Sequence, residues 1–433
     1  MSVINEAVAI SRYAAVPQEK SGGVTYTPKI LADFVASKII ELFTEFSADR
    51  PLRVLDPAIG DGELLLSLLQ QLADRPGLDI EVYGFETDAK VLNIAAERLK
   101  RFFPNVEIAF ESTSFLEFVL EYFGADGCRP LFSPPVPQTY DIIIANPPYV
   151  RTQIMGGTQA QVLAKQFRLS GRVDLYYAFI LGMTQVLKPK GVAGIIVSNR
   201  FMTTRSGAPI RKALLERFNI RHVWDMGDTK LFDAAVLPAV LLVEGKNAHQ
   251  LGTPTLTSIY QTSEPSSALA PDPITALGGE GVIATDDGRH FHVRHGKLDT
   301  SGTSNGVWRI ATEAVDAWLA TVEAHSWGTF RDIGNIRVGV KTCADKVFIS
   351  NDWEDMPEVA QPELLKPLTT HHIARRFKPL TSDRPSQILY PHETVQGLRR
   401  TVNLAQYPRA QAYLEAHRSI LQRRKYVIEA GRQ

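Results

Sequence analysis

From about residue 30 to 245, short apolar runs of strand length alternate with helix-length amphipathic stretches, and few architectures accommodate that alternation. Arg53–Leu55, Glu81–Phe85, Val106–Phe110, Tyr140–Ala145, Val192–Val197, His222–Met226 and Ala239–Glu244 read as strands. Between them the spacing predicts helices over Lys29–Phe46, Glu63–Leu72, Lys90–Phe102, Leu175–Leu187 and Arg211–Phe218. The first of these carries Ile30, Phe34, Val35, Ile39 and Phe43 on one stripe, with Thr27 and Pro28 read as its N-cap and first position. YDIIIA (140–145) lacks the in–out alternation of a half-exposed strand, which marks a strand covered on both faces of a parallel sheet. The expected fold is therefore a doubly wound, Rossmann-like α/β domain.

After Gly245 the character changes. Asn247–Thr303 is rich in Gly, Pro, Ser and Thr and has no long helical period. A helix is expected over Thr312–Ala324, two short strands within Ile333–Ser350, and a basic helix over Tyr407–Arg424. These readings divide the chain into an arm (1–25), an α/β domain (26–246) and a mixed α+β region (247–433). The whole chain of 433 residues has 47 Lys and Arg against 47 Asp and Glu. From Gln361 to Gln433, however, 13 basic residues face 5 acidic ones. Such an asymmetry suits a segment that meets phosphates, and it also suits an ordinary solvated basic face.

Several classes are disfavoured. No apolar run reaches the roughly 18 residues of a membrane span, so no membrane association is expected. The N-terminus lacks the pattern of a secretory signal. Cys128 and Cys343 are far apart and lie in no metal-ligand spacing. The expectation is a cytoplasmic protein without a metal centre.

Three motifs carry chemistry. Asn146-Pro147-Pro148-Tyr149 follows YDIIIA directly, at the carboxyl end of a strand, where open α/β sheets hold ligands. An aromatic exocyclic amine is a poor nucleophile, because its lone pair is delocalised into the ring. The Asn146 amide oxygen and the Pro147 carbonyl can each accept one of its two N–H donors. Two acceptors off the ring plane favour a pyramidal nitrogen with a localised pair. The prolines fix φ and hold the acceptors in place beforehand. Tyr149 can stack on the face of a ring. The same four residues also make a common Asn/Pro turn.

The second motif is Val54-Leu55-Asp56-Pro57-Ala58-Ile59-Gly60-Asp61-Gly62-Glu63, a strand running through a Gly turn into a helix. Glycines there let backbone approach a ligand closely, and the helix start offers N–H groups to a carboxylate. The turn lacks the dinucleotide pattern G-x-G-x-x-G. The third is Glu86, closing the next strand 30 residues after Asp56, where an acid can hold both hydroxyls of a ribose or simply cap a helix. A nucleoside-type site with no phosphate-binding Lys, beside an amine-activating loop, points to S-adenosylmethionine. The loop alone leaves DNA, RNA and protein glutamine open as substrates, and cytosine beside adenine as target. It also leaves open a catalytically silent DNA-binding subunit.

With these motifs in the order YTP (26–28), Gly turn, acid, NPPY and a large C-terminal region, the chain resembles the TaqI-like, gamma-type adenine-specific DNA methyltransferases of restriction–modification systems. The resemblance implies a Rossmann-like methyltransferase sheet followed by a target-recognition domain for double-stranded DNA. It implies transfer of methyl from S-adenosyl-L-methionine to the N6 amine of a flipped-out adenine, with a separately encoded restriction endonuclease as a possible partner. Thr27 and Pro28 match the segment closing over the methionine part of the cofactor. Asp56, Ala58 and Gly60 match the turn around that same part, and Glu86 the ribose-binding acid. Phe115 and Phe179 match aromatics of the adenine pocket. Ser114 stands where relatives often have an Asp that binds the cofactor's adenine amine. Phe232 matches the residue packing on the target base opposite Tyr149. RVGVKTCADKVFI (337–349), LLKPLTTHHIARR (364–376) and YPRAQAYLEAHRSILQRRK (407–425) resemble recognition-domain elements. In relatives the last is followed by more of that domain, so the expectation is a recognition domain incomplete at its C-terminal end.

Overall fold

Every side chain of Tyr140–Ala145 is buried, and the strand lies in the interior of a 12-stranded sheet. The computed structural model describes residues 27–73, 75, 77–123, 139–149, 167, 174–232, 237–246, 252–301, 306–311, 313–335, 339–370, 384–396 and 398–424. The expected arm (1–25) and residues 371–376 lie outside them. The chain forms two units, Met1–His325 and Ser326–Gln433.

In the first unit the strands are β1 (Leu52–Asp56), β2 (Ile80–Phe85), β3 (Glu107–Glu111), β4 (Tyr140–Ala145), β5 (Leu187–Ser198), β6 (Phe218–Asp225), β7 (Pro238–Gly245), β8 (Thr255–Thr262), β9 (Ala268–Ala270), β10 (Gly281–Thr285), β11 (His290–Asp299) and β12 (Arg309–Ala311). Their order is β3-β2-β1-β4-β5-β7-β6-β8-β11-β10-β9, with β12 on β11. β1 to β5 run parallel, and β7 is antiparallel to both β5 and β6. The reversal brings the carboxyl end of β6 to the same sheet edge as those of β1, β2, β4 and β5, the edge that carries ligand chemistry in such folds.

Alternation within β4 divides the core between two faces. Ile142 and Ile144 join Leu31, Val35 and Ile39 of the helix Lys29–Leu42 and the leucines of Glu63–Leu72. Ile143 and Ala145 join Phe115, Val119, Tyr176, Phe179 and Ile180 on the other. Each fully buried Ile contributes on the order of 2 kcal/mol. The lone acid of YDIIIA, Asp141, sits at the opposite edge, paired with Arg50 and Lys188 at 2.9 Å each. Those bonds hold its carboxyl below the usual range in spite of its burial.

The first helix ends at Leu42 rather than Phe46, because Phe43 turns extended and buries its ring against Phe46. Pro28, not Thr27, is its N-cap. Residues 188–191 (KPKG), which precede the expected strand Val192–Val197, are an irregular part of β5, with Lys190 at φ 62° and the pairing with β4 shifted between Tyr140 and Ile142.

The sheet continues beyond Gly245. β8 pairs with β6 over His222–Asp225 and covers what would otherwise be an open strand edge. β11 pairs with β8 over eight residues, and β10 with β11. The change of character at 246/247 thus falls inside the first unit, and the contacts thin out at 325/326.

The second unit is small. Ile349–Ser350, Gln387–Leu389 and Leu365–Pro367 form a three-stranded sheet whose core includes Trp353, Ile388, Leu389 and Ala410. Of the two strands expected within Ile333–Ser350, one is present at Ile349–Ser350 and follows a helical turn over Asp345–Phe348, while residues 336–338 lie outside the described residues. The Thr342 hydroxyl accepts from Ala344 N at 3.1 Å and bonds the Asp345 carboxylate, which closes that turn locally. The basic helix is two helices, Pro408–Ala416 and Arg418–Gln422, broken at His417. His392–Val395 and Leu398–Thr401 form a separate hairpin with Arg399 and Arg400 exposed.

Candidate active site

β1 delivers Asp56 to the sheet edge fully buried. Its Oδ1 accepts from Ala58 N at 3.0 Å, and its Oδ2 has no partner among the described residues. Burial, then the neighbouring Glu86 and Asp61 carboxylates, push its pKa up to about 7 against the pull of the Ala58 N–H. Gly60 and Gly62 take left-handed φ of 54° and 80°, which only glycine adopts without strain. A Cβ on Gly60 would meet no described atom within 4 Å, so the turn faces open space there. Ile59 lies over Gly84 of β2, where a Cβ would stand 2.3 Å from its Cδ1. That contact seats the turn on the second strand. Glu86 closes it, with Oε2 accepting from Gly60 N at 3.2 Å and Oε1 from Asp88 N at 2.9 Å.

This turn is rich in carboxylates, and one buried carboxylate oxygen lacks a donor. It suits a ligand with positive charge and hydroxyls and repels a phosphate. S-adenosylmethionine has a sulfonium, an ammonium and a ribose diol, and fits.

On the other face of the sheet, Phe115 and Phe179 stack with centroids 5.8 Å apart and planes at 29°, and Phe85 lies 5.6 Å from Phe115. Phe115 is fully buried and Phe179 nearly so. Ser114 Oγ accepts from Leu116 N at 3.3 Å at the start of the helix Phe115–Phe123.

β4 ends at Ala145, and Asn146, half-buried, begins the loop. Its Nδ2 donates to Thr27 Oγ1 at 2.9 Å. The Thr27 side chain, expected to cap its own helix, is instead committed to a residue 119 positions away. Pro28 follows, half-buried, and Pro147 is buried. The Tyr149 ring is half-buried, with its hydroxyl enclosed and unpartnered among the described residues. Burial holds that phenol far above its usual pKa, so it stays neutral. The ring lies 6.4 Å from Phe232, which follows β6, and 6.2 Å from Tyr176, tilted by 63° and 62°.

The structure thus gathers the expected residues into three groups: Asp56, Ala58, Gly60 and Glu86; Ser114, Phe115 and Phe179; and Thr27, Asn146, Tyr149 and Phe232. Sequence reading passed over Tyr176. It stands three residues before Phe179 on one helix, a spacing that shares a face.

A parallel sheet with a reversed seventh strand, a Gly turn after β1, an acid after β2 and a polar-aromatic loop after β4 define a Rossmann-like methyltransferase, for which S-adenosylmethionine is the expected cofactor. The sequence profile of the Eco57I restriction-modification methylase family matches residues 82–232, from β2 to Phe232. The Type II methyltransferase M.BanIII of Aneurinibacillus aneurinilyticus is 37% identical over 96% of this chain and 73% of its own length. M.BstVI of Geobacillus stearothermophilus is 24% identical over 93% and 72%. A methyltransferase subunit of a type I restriction-modification system from Streptococcus thermophilus superposes with a TM-score of 0.40 at 18% identity, over 55% of this chain and 47% of that one. The chain belongs to the Eco57I-type restriction-modification methylases and is a Type II methyltransferase.

Proposed function

We propose that the chain methylates the N6 amine of adenine in double-stranded DNA, acting on a base rotated out of the helix. The observation that carries this reading is the placement of Asn146–Tyr149 at the carboxyl end of β4, on the strand adjacent to the one that delivers Asp56. An adenine amine is out of reach while stacked and paired, so the base must leave the duplex. Asn146 Oδ1 and the Pro147 carbonyl each accept a hydrogen bond from one of its two N–H groups. The bond from Asn146 Nδ2 to Thr27 commits the amide nitrogen, and the amine meets the other end of the amide. Tyr149 and Phe232 take the base between them, which requires one ring to turn from their present tilt. The Asp56 turn and Glu86 hold the cofactor, with Thr27 and Pro28 closing over it and Phe115 and Phe179 backing its adenine. S-adenosylmethionine supplies the electrophilic methyl group. Proximity of amine and donor then contributes much of the rate.

Basic residues of the C-terminal region hold the phosphates, and a restriction endonuclease sharing the site is the partner such a modification enzyme protects against. The test is transfer of labelled methyl to unmethylated DNA, RNA and protein in parallel. Label enters DNA alone in this reading. Asn146→Ala and Tyr149→Ala each reduce transfer by about 100-fold or more, the usual cost of removing a preorganised polar or stacking group, while cofactor binding persists. Undiminished turnover in both variants removes the assignment.

A further inference from the structure

We infer that residues 255–299 serve the methyl-transfer site rather than sequence reading, and that Tyr260, Gln261 and Arg289 are positioning residues for the loop that carries Phe232. The inference rests on the proposed contact between Phe232 and the target base.

The loop leaves β6 at Asp225 and reaches Phe232 through Met226-Gly227-Asp228-Thr229-Lys230-Leu231. It has no helix or strand of its own, and Lys230 has a positive φ of 55°. Its order must come from what it touches. At its root the Tyr260 hydroxyl of β8 donates to Asp225 Oδ2 at 2.7 Å, and Asn199 Nδ2 to Asp225 Oδ1 at 2.8 Å. The same Oδ1 accepts from Gly227 N at 3.2 Å, so one buried carboxylate at the end of β6 ties together β8, the loop backbone and Asn199, the residue after β5. Burial and Asp225 raise the Tyr260 phenol well above its usual pKa, which keeps the hydroxyl a donor.

Further along, Gln261 N donates to Asp228 Oδ1 at 2.7 Å, and Arg289 Nη1 to the Thr229 carbonyl at 2.6 Å. Arg289 is itself aimed: Asp287 accepts from its Nε at 2.8 Å, and its guanidinium lies 5.0 Å from the Phe291 ring centre. Gly227 lies so close to β8 that a Cβ there would stand 2.2 Å from Ile259 O. Three successive loop positions, Gly227, Asp228 and Thr229, are thereby held against residues downstream of 254. The strands of that region pair into the same sheet as the Gly turn. The Tyr260 hydroxyl, the Gln261 backbone N–H and the Arg289 guanidinium are all committed to the segment that leads to Phe232.

The test compares wild type, Tyr260→Phe, Arg289→Gln and Phe232→Ala. Tyr260→Phe removes one hydroxyl and keeps the ring, and Arg289→Gln is independent of it. Three quantities are read: amide hydrogen exchange of residues 226–232, single-turnover transfer to unmethylated bacteriophage DNA, and the Kd for S-adenosylmethionine. Both positioning variants are expected to exchange faster in 226–232 and to transfer about tenfold more slowly, the order for a lost hydrogen bond to a charged or buried partner. Cofactor Kd stays as in wild type, which a general loss of structure would not allow. Unchanged exchange in both variants, or faster exchange with wild-type transfer, overturns the inference. Wild-type transfer by Phe232→Ala overturns the base-contact reading instead, and the exchange data then still decide whether β8 and Arg289 order the loop.

Discussion

Asp56 couples the cofactor turn to pH. With a pKa near 7 in the folded, cofactor-free protein, it binds a proton there that the unfolded chain releases near pH 4. Its proton therefore favours the fold fully below about pH 4, and that contribution disappears as pH rises through 7. A cationic ligand selects the ionised form. Affinity for S-adenosylmethionine is expected to weaken by up to about tenfold per pH unit below 7, with proton release on binding near pH 6.5 detectable by calorimetry in buffers of different ionisation enthalpy. Asp56→Asn binds more weakly and loses that dependence. A flat affinity from pH 6 to 8 in the wild type contradicts this account of the turn. Thr27 is the other residue whose task is set by a distant partner. Thr27→Val, which keeps shape but removes the acceptor of the Asn146 amide, lowers the transfer rate, and Thr27→Ser restores it. Asp56 and Asn146 were legible in sequence because each follows a strand and sits in a motif. The Thr27–Asn146 bond was not, because it spans 119 residues and Thr27 has equally good local work as a cap.

At the level of elements, legibility followed locality. Glu63–Leu72 and Tyr140–Ala145 have the bounds their patterns predict, because leucine spacing and an unbroken apolar run leave little choice. The pairing of β8 with β6 was hidden, since the change of composition after Gly245 read as a boundary while the pairing itself is a long-range event. The turn at Asp345 was hidden for the opposite reason: a Thr hydroxyl and an Asp carboxylate override a β-rich stretch over four residues. Gly227 tests the element scale directly. Gly227→Ala places a side chain at positive φ and against the β8 backbone, so it loosens the Phe232 loop and slows transfer without weakening cofactor binding. Equal transfer rates in the two proteins count against the close packing of this loop on β8.

Across the whole molecule, charge is balanced in sum and uneven in place, with the basic excess beyond residue 361. DNA affinity is therefore expected to fall steeply with salt, by about 0.9 in log–log slope for each phosphate neutralised, while cofactor affinity barely moves. Replacing the exposed Arg399 and Arg400 together by Ala lowers that slope by up to about two if both meet phosphates. A slope equal to that of wild type assigns the hairpin no phosphate contact. Among the described residues no helix is long and apolar enough to cross a membrane. The measurement closest to the central claim is the identity of the methylated base. Unmethylated DNA is incubated with the protein and S-adenosylmethionine, digested to nucleosides and resolved by mass spectrometry. The account predicts N6-methyladenine, confined to one short sequence on sequencing and absent with Asn146→Ala; N4-methylcytosine, or DNA left unmodified while RNA or protein takes the label, contradicts it.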